Sequence, residues 1–360
     1  MHSRPAPLVE TPAESDAPAT PSWPEVRPTT NVQLDLMIRH HLTGAHESDH
    51  AFGRMESLAL QLACIQQTGH GLENLHFESP QLVVFAADHG IAVEGVSAFP
   101  QDTTAQRSQA LLTGKTPVNA LAQMHGFEVT LVDAGVASHI ELPSDAEAEV
   151  PLLLRKIGYG TRNMVLAPAM TPAQARSAIE AGMDVVRHLP GNVVALSNIG
   201  VAGNACAAQL LSRLCGVPLA DACGKEQAAD EVRAQRKLER LFAAASRHRK
   251  ATAPLDVLAA MGGFEIAMLC GAMIQAASER RVVLVDGFVA GAAALLARAF
   301  VPAVSDYLVF SQRSAEPGHR LLLIHLQATP LLDMDLRAGQ GVGALLAWPL
   351  LLAAQRLLQR

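Results

Sequence analysis

Two short stretches of this chain carry side chains suited to moving a proton at the end of a buried element. In FAADHGIAVEGVSAFPQDTT, residues 85–104, an apolar run breaks at Asp88-His89-Gly90. In SAEPGHR, residues 314–320, Glu316 stands between Ala315 and Pro317. Imidazole and carboxylate groups serve as general acids and bases, and a flanking proline and glycine present such a group on a rigid turn. Each has a plainer alternative. An Asp or Asn ending a strand most often caps a helix or closes a turn, and Asp133 and Asp286 are read that way. His89 taken alone fits a structural hydrogen-bonding histidine, and Glu316 taken alone fits a solvated surface carboxylate as well as a base.

The elements that must position these residues alternate along the chain. Continuous apolar, β-branched runs at 81–88, 127–135, 191–200, 280–288, 306–312 and 320–327 predict strands. Helical patterns occupy 116–126, 171–189 and 230–245. Strands that are apolar throughout and separated by helices predict a doubly wound α/β fold, a mostly parallel sheet with helices on both faces. Ligands of such sheets bind outside the carboxyl ends of the strands. Asp88-His89-Gly90, Asp133-Ala134-Gly135, Ser197-Asn198-Ile199-Gly200, Asp286-Gly287 and the 314–319 stretch all follow strands and are expected to share one cleft.

The ends of the chain read differently. Residues 1–30, rich in Pro, Ala, Glu, Ser and Thr without apolar periodicity, predict a disordered tail. Segments 31–75 and 335–360 are helical in pattern and are expected to form a small helical domain, leaving 76–334 as the large α/β domain with the cleft. The chain has 360 residues, 49% apolar and 17% charged, enough for a large core. A formal charge of −6 without a basic stripe argues against nucleic acid and for a small-molecule partner. Five scattered cysteines without metal-ligand spacing read as small buried apolar residues of a reducing compartment, with no metal site. With no signal-like apolar region in the tail and no long uncharged apolar run, the expectation is a cytoplasmic protein without a membrane span.

The blocks GIAVEGVSAFPQDTT (90–104), GTRNMVLAPAMT (160–171), MGGFEIAMLCGAMIQAA (261–277), VLVDGFVAGAAALL (283–296), SAEPGHR (314–320) and PLLDMDLRAGQGVGALLAWPLL (330–351) resemble, in order, the nicotinate-nucleotide:dimethylbenzimidazole phosphoribosyltransferase family. The resemblance spans about residues 53 to 355. It implies phosphoribosyl transfer from nicotinate mononucleotide to 5,6-dimethylbenzimidazole in cobalamin assembly, by a homodimer using neither metal nor redox cofactor. It places the catalytic glutamate at Glu316. Ser97, Phe99 and Gln101 of GVSAFPQ become the pocket of the aromatic base.

The nucleotide half departs from the family pattern. NIGVAGNAC (198–206) keeps Gly203 and Asn204 of a glycine-rich loop but has Ile199 for its glutamate, and Ala205 and Cys206 for its two threonines. GKEQA (224–228) lacks two glycines of the family's GRGTG, and ESDHAFGRME (47–56) keeps Gly53, Arg54 and Glu56 only. Gln312 replaces a histidine and Gln340 a glutamate. Lys237 is kept, although it also fits a solvated helix face. Two readings follow: an active transferase whose phosphate is held in part by Lys225 or Lys237, or a non-catalytic, base-binding homologue acting as a partner or regulatory subunit.

Overall fold

The computed structural model describes residues 23–43, 52–66, 75–141, 148–224 and 231–359. The chain forms α1 (Val32–Thr43), α2 (Arg54–Gln66), β1 (Gln81–Ala87), α3 (Thr103–Leu112), α4 (Pro117–His125), β2 (Glu128–Gly135) and β3 (Leu152–Leu154). It continues through α5 (Pro172–Arg187), β4 (Val193–Ile199), α6 (Gly203–Cys215), α7 (Leu219–Cys223), α8 (Glu231–Arg247), α9 (Pro254–Met261) and α10 (Phe264–Ser278). Next come β5 (Val282–Val285), α11 (Gly287–Phe300), β6 (Leu308–Phe310), β7 (Gln312–Arg313), α12 (Pro317–Leu326), β8 (Leu332–Asp333) and α13 (Val342–Leu358).

Six strands make one parallel sheet in the order β3-β2-β1-β4-β5-β6, and β7 pairs with β8 in a separate two-stranded ladder. Every residue of β1 and of β5 is buried, which is possible only where both faces of the sheet are covered. The strand order reverses between β1 and β4, whose register runs from Gln81 opposite Val194 to Ala86 opposite Ile199. Connections leave these two neighbours in opposite directions, so a crevice opens where their carboxyl ends part. Asp88-His89 and the Gly200–Gly203 turn both stand there.

One helix lies at the centre of the core. From Phe264 to Ala277 every residue of α10 is buried, and α10 packs against β1, β2, β4, β5 and α5. Its approach to α5 depends on two glycines. A methyl group on Gly182 would stand 1.9 Å from the Met268 carbonyl oxygen, and one on Gly271 would stand 1.9 Å from that of Ile179. The two backbones are therefore in direct contact at both points.

Three differences from the sequence expectations have physical causes. Of residues 320–327, expected as a strand, 320–326 lie in α12 and Gln327 is its left-handed C-cap. Pro317 occupies the first helical turn, and the buried positions Gly318, His319, Leu322, Leu323 and Leu326 recur at helical spacing. The edge strand β3, not expected from the sequence, has only three residues, too few to carry a periodic apolar pattern, and pairs in parallel with β2, Leu152 opposite Leu131. Of the stretch expected to be a disordered tail, residues 1–22 lie outside the described residues, while 23–30 pack on the body. The Trp23 ring lies 5.2 Å from that of Phe300, Thr29 N–H donates to Asp306 Oδ2, and the Tyr307 hydroxyl donates to the Arg27 carbonyl. One aromatic anchor and two hydrogen bonds hold a segment whose composition suggested none.

The helices from the two chain ends pack on one another, α1 and α2 against α13, and α13 also packs against α4. Trp348 of α13 meets Phe77 and Phe127, each 5.0 Å away between ring centroids. No helix among the described residues is long and apolar enough to cross a membrane.

Candidate active site

The turn between β4 and α6 forms one wall of the crevice. Val201 N–H donates to the buried Thr104 hydroxyl of α3, 3.1 Å away, which ties this turn to the segment carrying Ser97 and Phe99. Ala202 then adopts φ +67°, a left-handed conformation that favours glycine, and α6 begins at Gly203. The N-terminal turn of α6 thus opens on the crevice with the positive end of its dipole.

A cavity of about 600 Å³ lies at this point. Ser97, Phe99, Gly203, Asn204, Lys237 and Glu316 all line it, so six of the seven candidate residues share one site. Gln101 is not among the lining residues. It sits in the turn before α3, where its backbone carbonyl accepts the Thr104 N–H. Lys237, which also fitted a solvated face, is 91% buried, since its relative exposure is only 9%.

The base-binding candidates have distinct surroundings. The Ser97 hydroxyl accepts the Phe99 N–H at 3.1 Å and so keeps its own hydrogen available to donate. Phe99 is 52% exposed, a large apolar ring held open beside a cavity. The Arg107 guanidinium sits over that ring, 4.6 Å from its centroid.

Sequence reasoning missed most of the site's charge. Among the described residues, Arg107, Arg233 and Arg337 line the cavity with Lys237, against Glu316 as the one lining carboxylate. In a chain of formal charge −6, the described lining thus gathers four cations around one carboxylate. Arg233 stands four residues before Lys237 on α8, so helical periodicity carried that signal. Arg107 and Arg337 come from segments distant in sequence, and only the fold unites them.

Glu316 occupies the N-cap position of α12, but its side chain does not cap the helix. The turn carrying it is packed from two sides. A methyl on Gly318 would stand 2.2 Å from the Ala222 carbonyl oxygen, and Ala315 N–H donates to the Leu336 carbonyl.

Beneath the floor, His89 is fully buried and is not exposed as a base. Its Nε2 lies 2.8 Å from Glu265 Oε1 in a contact whose geometry makes it an ion pair rather than a directed hydrogen bond. Its Nδ1 lies 3.2 Å from Cys206 Sγ. Burial alone would lower the imidazole pKa, but the Cys206 sulfur and the Glu265 carboxylate outweigh burial and raise it well above the usual histidine value. Cys206 is therefore a polar partner of His89 rather than only a small apolar filler. Asp88 accepts the Ala137 N–H, Asp133 accepts that of Val136 and pairs with Lys156, and Asp286 accepts that of Gly341. Of these, the Asp133 contact to Val136 closes a local turn as expected, whereas Asp88 and Asp286 tie together segments 49 and 55 residues apart, and Asp286, at the N-cap of α11, makes no cap hydrogen bond.

The phosphoribosyltransferase family model matches residues 28–360. A nicotinate-nucleotide–dimethylbenzimidazole phosphoribosyltransferase of Cupriavidus taiwanensis is 47% identical over 339 residues, covering 92% of this chain and 94% of that protein. The protein of the same name from Variovorax paradoxus is 46% identical over 309 residues, covering 86% of each. The chain belongs to this phosphoribosyltransferase family. A crystal structure of the nicotinate-nucleotide–dimethylbenzimidazole phosphoribosyltransferase from Thermus thermophilus superposes with a TM-score of 0.82 at 34% identity, covering 91% of this chain and 96% of that one.

Within the family pattern, the departures now have positions. Ile199 and Ala205 line the cavity, so the family's loop glutamate is replaced there by an apolar side chain. Cys206, in place of a threonine, turns away from the cavity toward His89. Gly224 closes the described part of the GKEQA stretch, while Lys225 and Glu226 lie outside the described residues, as do residues 47–51.

Proposed function

We propose that this chain transfers the phosphoribosyl group of nicotinate mononucleotide to 5,6-dimethylbenzimidazole, giving α-ribazole 5′-phosphate and nicotinate. The observation that carries the reading is the one cavity in which Glu316, Phe99 and four cations meet. A substrate bearing a phosphate and a pyridine carboxylate is attracted by such a charge balance, and a flat aromatic base matches an exposed ring wall.

In this reading, one ring nitrogen of the benzimidazole attacks the anomeric carbon with its lone pair from the α face. The bond from that carbon to the pyridinium nitrogen breaks, and its electrons neutralise the pyridinium as nicotinate leaves. The remaining benzimidazole N–H gives its proton to the Glu316 carboxylate. Lys237 and Arg233, with the N–H groups at the start of α6, hold the phosphate. Ser97 donates to the base and Phe99 packs against it. In this reading, point charges take the part of the loop glycines that the chain lacks.

The experiment is a steady-state assay of nicotinate release with Glu316→Gln alongside. Gln keeps the size but takes no proton, so turnover falls about 10²-fold or more with both Michaelis constants nearly unchanged. A Gln variant keeping more than about a third of turnover would remove Glu316 from the role. The chain is further proposed to be cytoplasmic and, as the family resemblance implies, to act as a homodimer, an assembly that light scattering on the purified protein tests.

A further inference from the structure

The turn that presents Glu316 is closed by a side chain five residues from where it begins. Nδ1 of His319 lies 3.0 Å from the backbone nitrogen of Ser314 and 2.9 Å from the Ser314 hydroxyl oxygen. A backbone N–H can only donate, so Nδ1 is an acceptor and the proton of the neutral ring sits on Nε2. The His319 backbone N–H in turn donates to the Glu316 carbonyl at 3.0 Å. The ring is 1% exposed and packs beside Phe288, with centroids 6.1 Å apart. His319 is not among the residues lining the cavity, whereas Ala315, Glu316 and Pro317 all line it.

We propose that His319 is the positioning residue of the proton acceptor: its neutral Nδ1 holds the Ser314–Glu316 turn so that the carboxylate meets the benzimidazole N–H. The proposal rests on Glu316 being the base. Burial, with the positive charge of Arg313, lowers the imidazole to about 4, so the ring stays an acceptor through the neutral range. A carboxylate on a turn lacking this closure samples other orientations, and a misplacement of about 1 Å costs about 10²-fold in rate without weakening substrate binding.

The test compares His319→Asn, His319→Gln and His319→Leu with Glu316→Gln. The Asn side-chain oxygen falls near the place of Nδ1, that of Gln falls one bond farther, and Leu fills space without an acceptor. Circular dichroism first confirms that each variant is folded. The expected result is that Asn keeps the largest share of kcat, while Gln and Leu lose about tenfold or more, with KM for the base within about twofold of wild type. Equal kcat for all three variants, or a loss confined to KM, would overturn the positioning role. If the Leu variant does not fold, the Asn and Gln pair decides alone. If Glu316→Gln loses turnover while the His319 variants keep it, the positioning proposal falls and the base assignment stands. If Glu316→Gln keeps turnover, both fall together.

Discussion

Gly224 packs directly on Pro317. A methyl group at the glycine would stand 1.8 Å from the proline Cβ, and the glycine itself has φ +65°. The stretch that matches the family's glycine-rich GRGTG block therefore begins against the residue that follows Glu316. Gly224→Ala is expected to destabilise the protein and to lower kcat, because relief of the clash displaces the Glu316 turn. Urea unfolding and steady-state rates check this, and an alanine variant of wild-type kcat would show that the contact does not reach the carboxylate.

Two residues further on, Glu226 introduces a negative charge into that stretch. If it faces the phosphate, Glu226→Gly lowers KM for nicotinate mononucleotide and leaves that for the base nearly unchanged, since removing one like charge eases binding of an anion only. Equal shifts for the two substrates would place the segment away from the phosphate.

Lys237→Met keeps the apolar stem of a buried side chain and removes its charge. KM for the nucleotide is expected to rise about tenfold or more, the effect of about 1.4 kcal/mol of lost attraction, while KM for the base stays within about twofold. The contribution of Lys237 also shrinks with added salt, so titrating the wild type and the variant at two ionic strengths is the check. A variant with unchanged nucleotide KM would return Lys237 to a structural role.

Stability toward acid follows from His319. Its folded-state value, lowered to about 4 from an ordinary 6.5, means that the unfolded chain takes up the proton first. Stability then falls as pH drops from about 6.5 to about 4, by on the order of 3 kcal/mol from this group, and the group adds nothing further below that window. Unfolding midpoints of wild type and His319→Asn at pH 7, 6 and 5 isolate the effect, with the variant losing less on acidification. Parallel slopes would contradict it.

How much of this was legible in the sequence differs from residue to residue. The strands ending at Asp88, Gly135, Gly200 and Gly287 were readable because runs buried on both faces are apolar without alternation. The 320–327 segment is ambiguous for the same reason, since a short apolar run does not distinguish a strand from a buried helix and Pro317 fits a turn as well as a first helical turn. Glu316, Ser97 and Phe99 were found through contiguous blocks. Arg107 and Arg337 were not, because each stands alone in its own segment and gains meaning only where α3 and the 336–337 stretch converge. Gln101 shares a block with Ser97 and Phe99, yet the chain turns between Pro100 and Thr104 and leaves it out of the cavity lining.

The central position of β1 also sets a timetable for biosynthesis. Its neighbour β4 begins pairing at Val194 opposite Gln81, 113 residues later in the chain (194 − 81). A ribosome adding about 5–20 residues per second needs on the order of 6–23 s to cover that interval. Throughout it, LVVFAA at 82–87 lacks the strand that will cover one edge. The nascent chain is therefore expected to recruit chaperones that bind extended apolar segments, and slowing translation between codons 90 and 190 should increase its aggregation in cells.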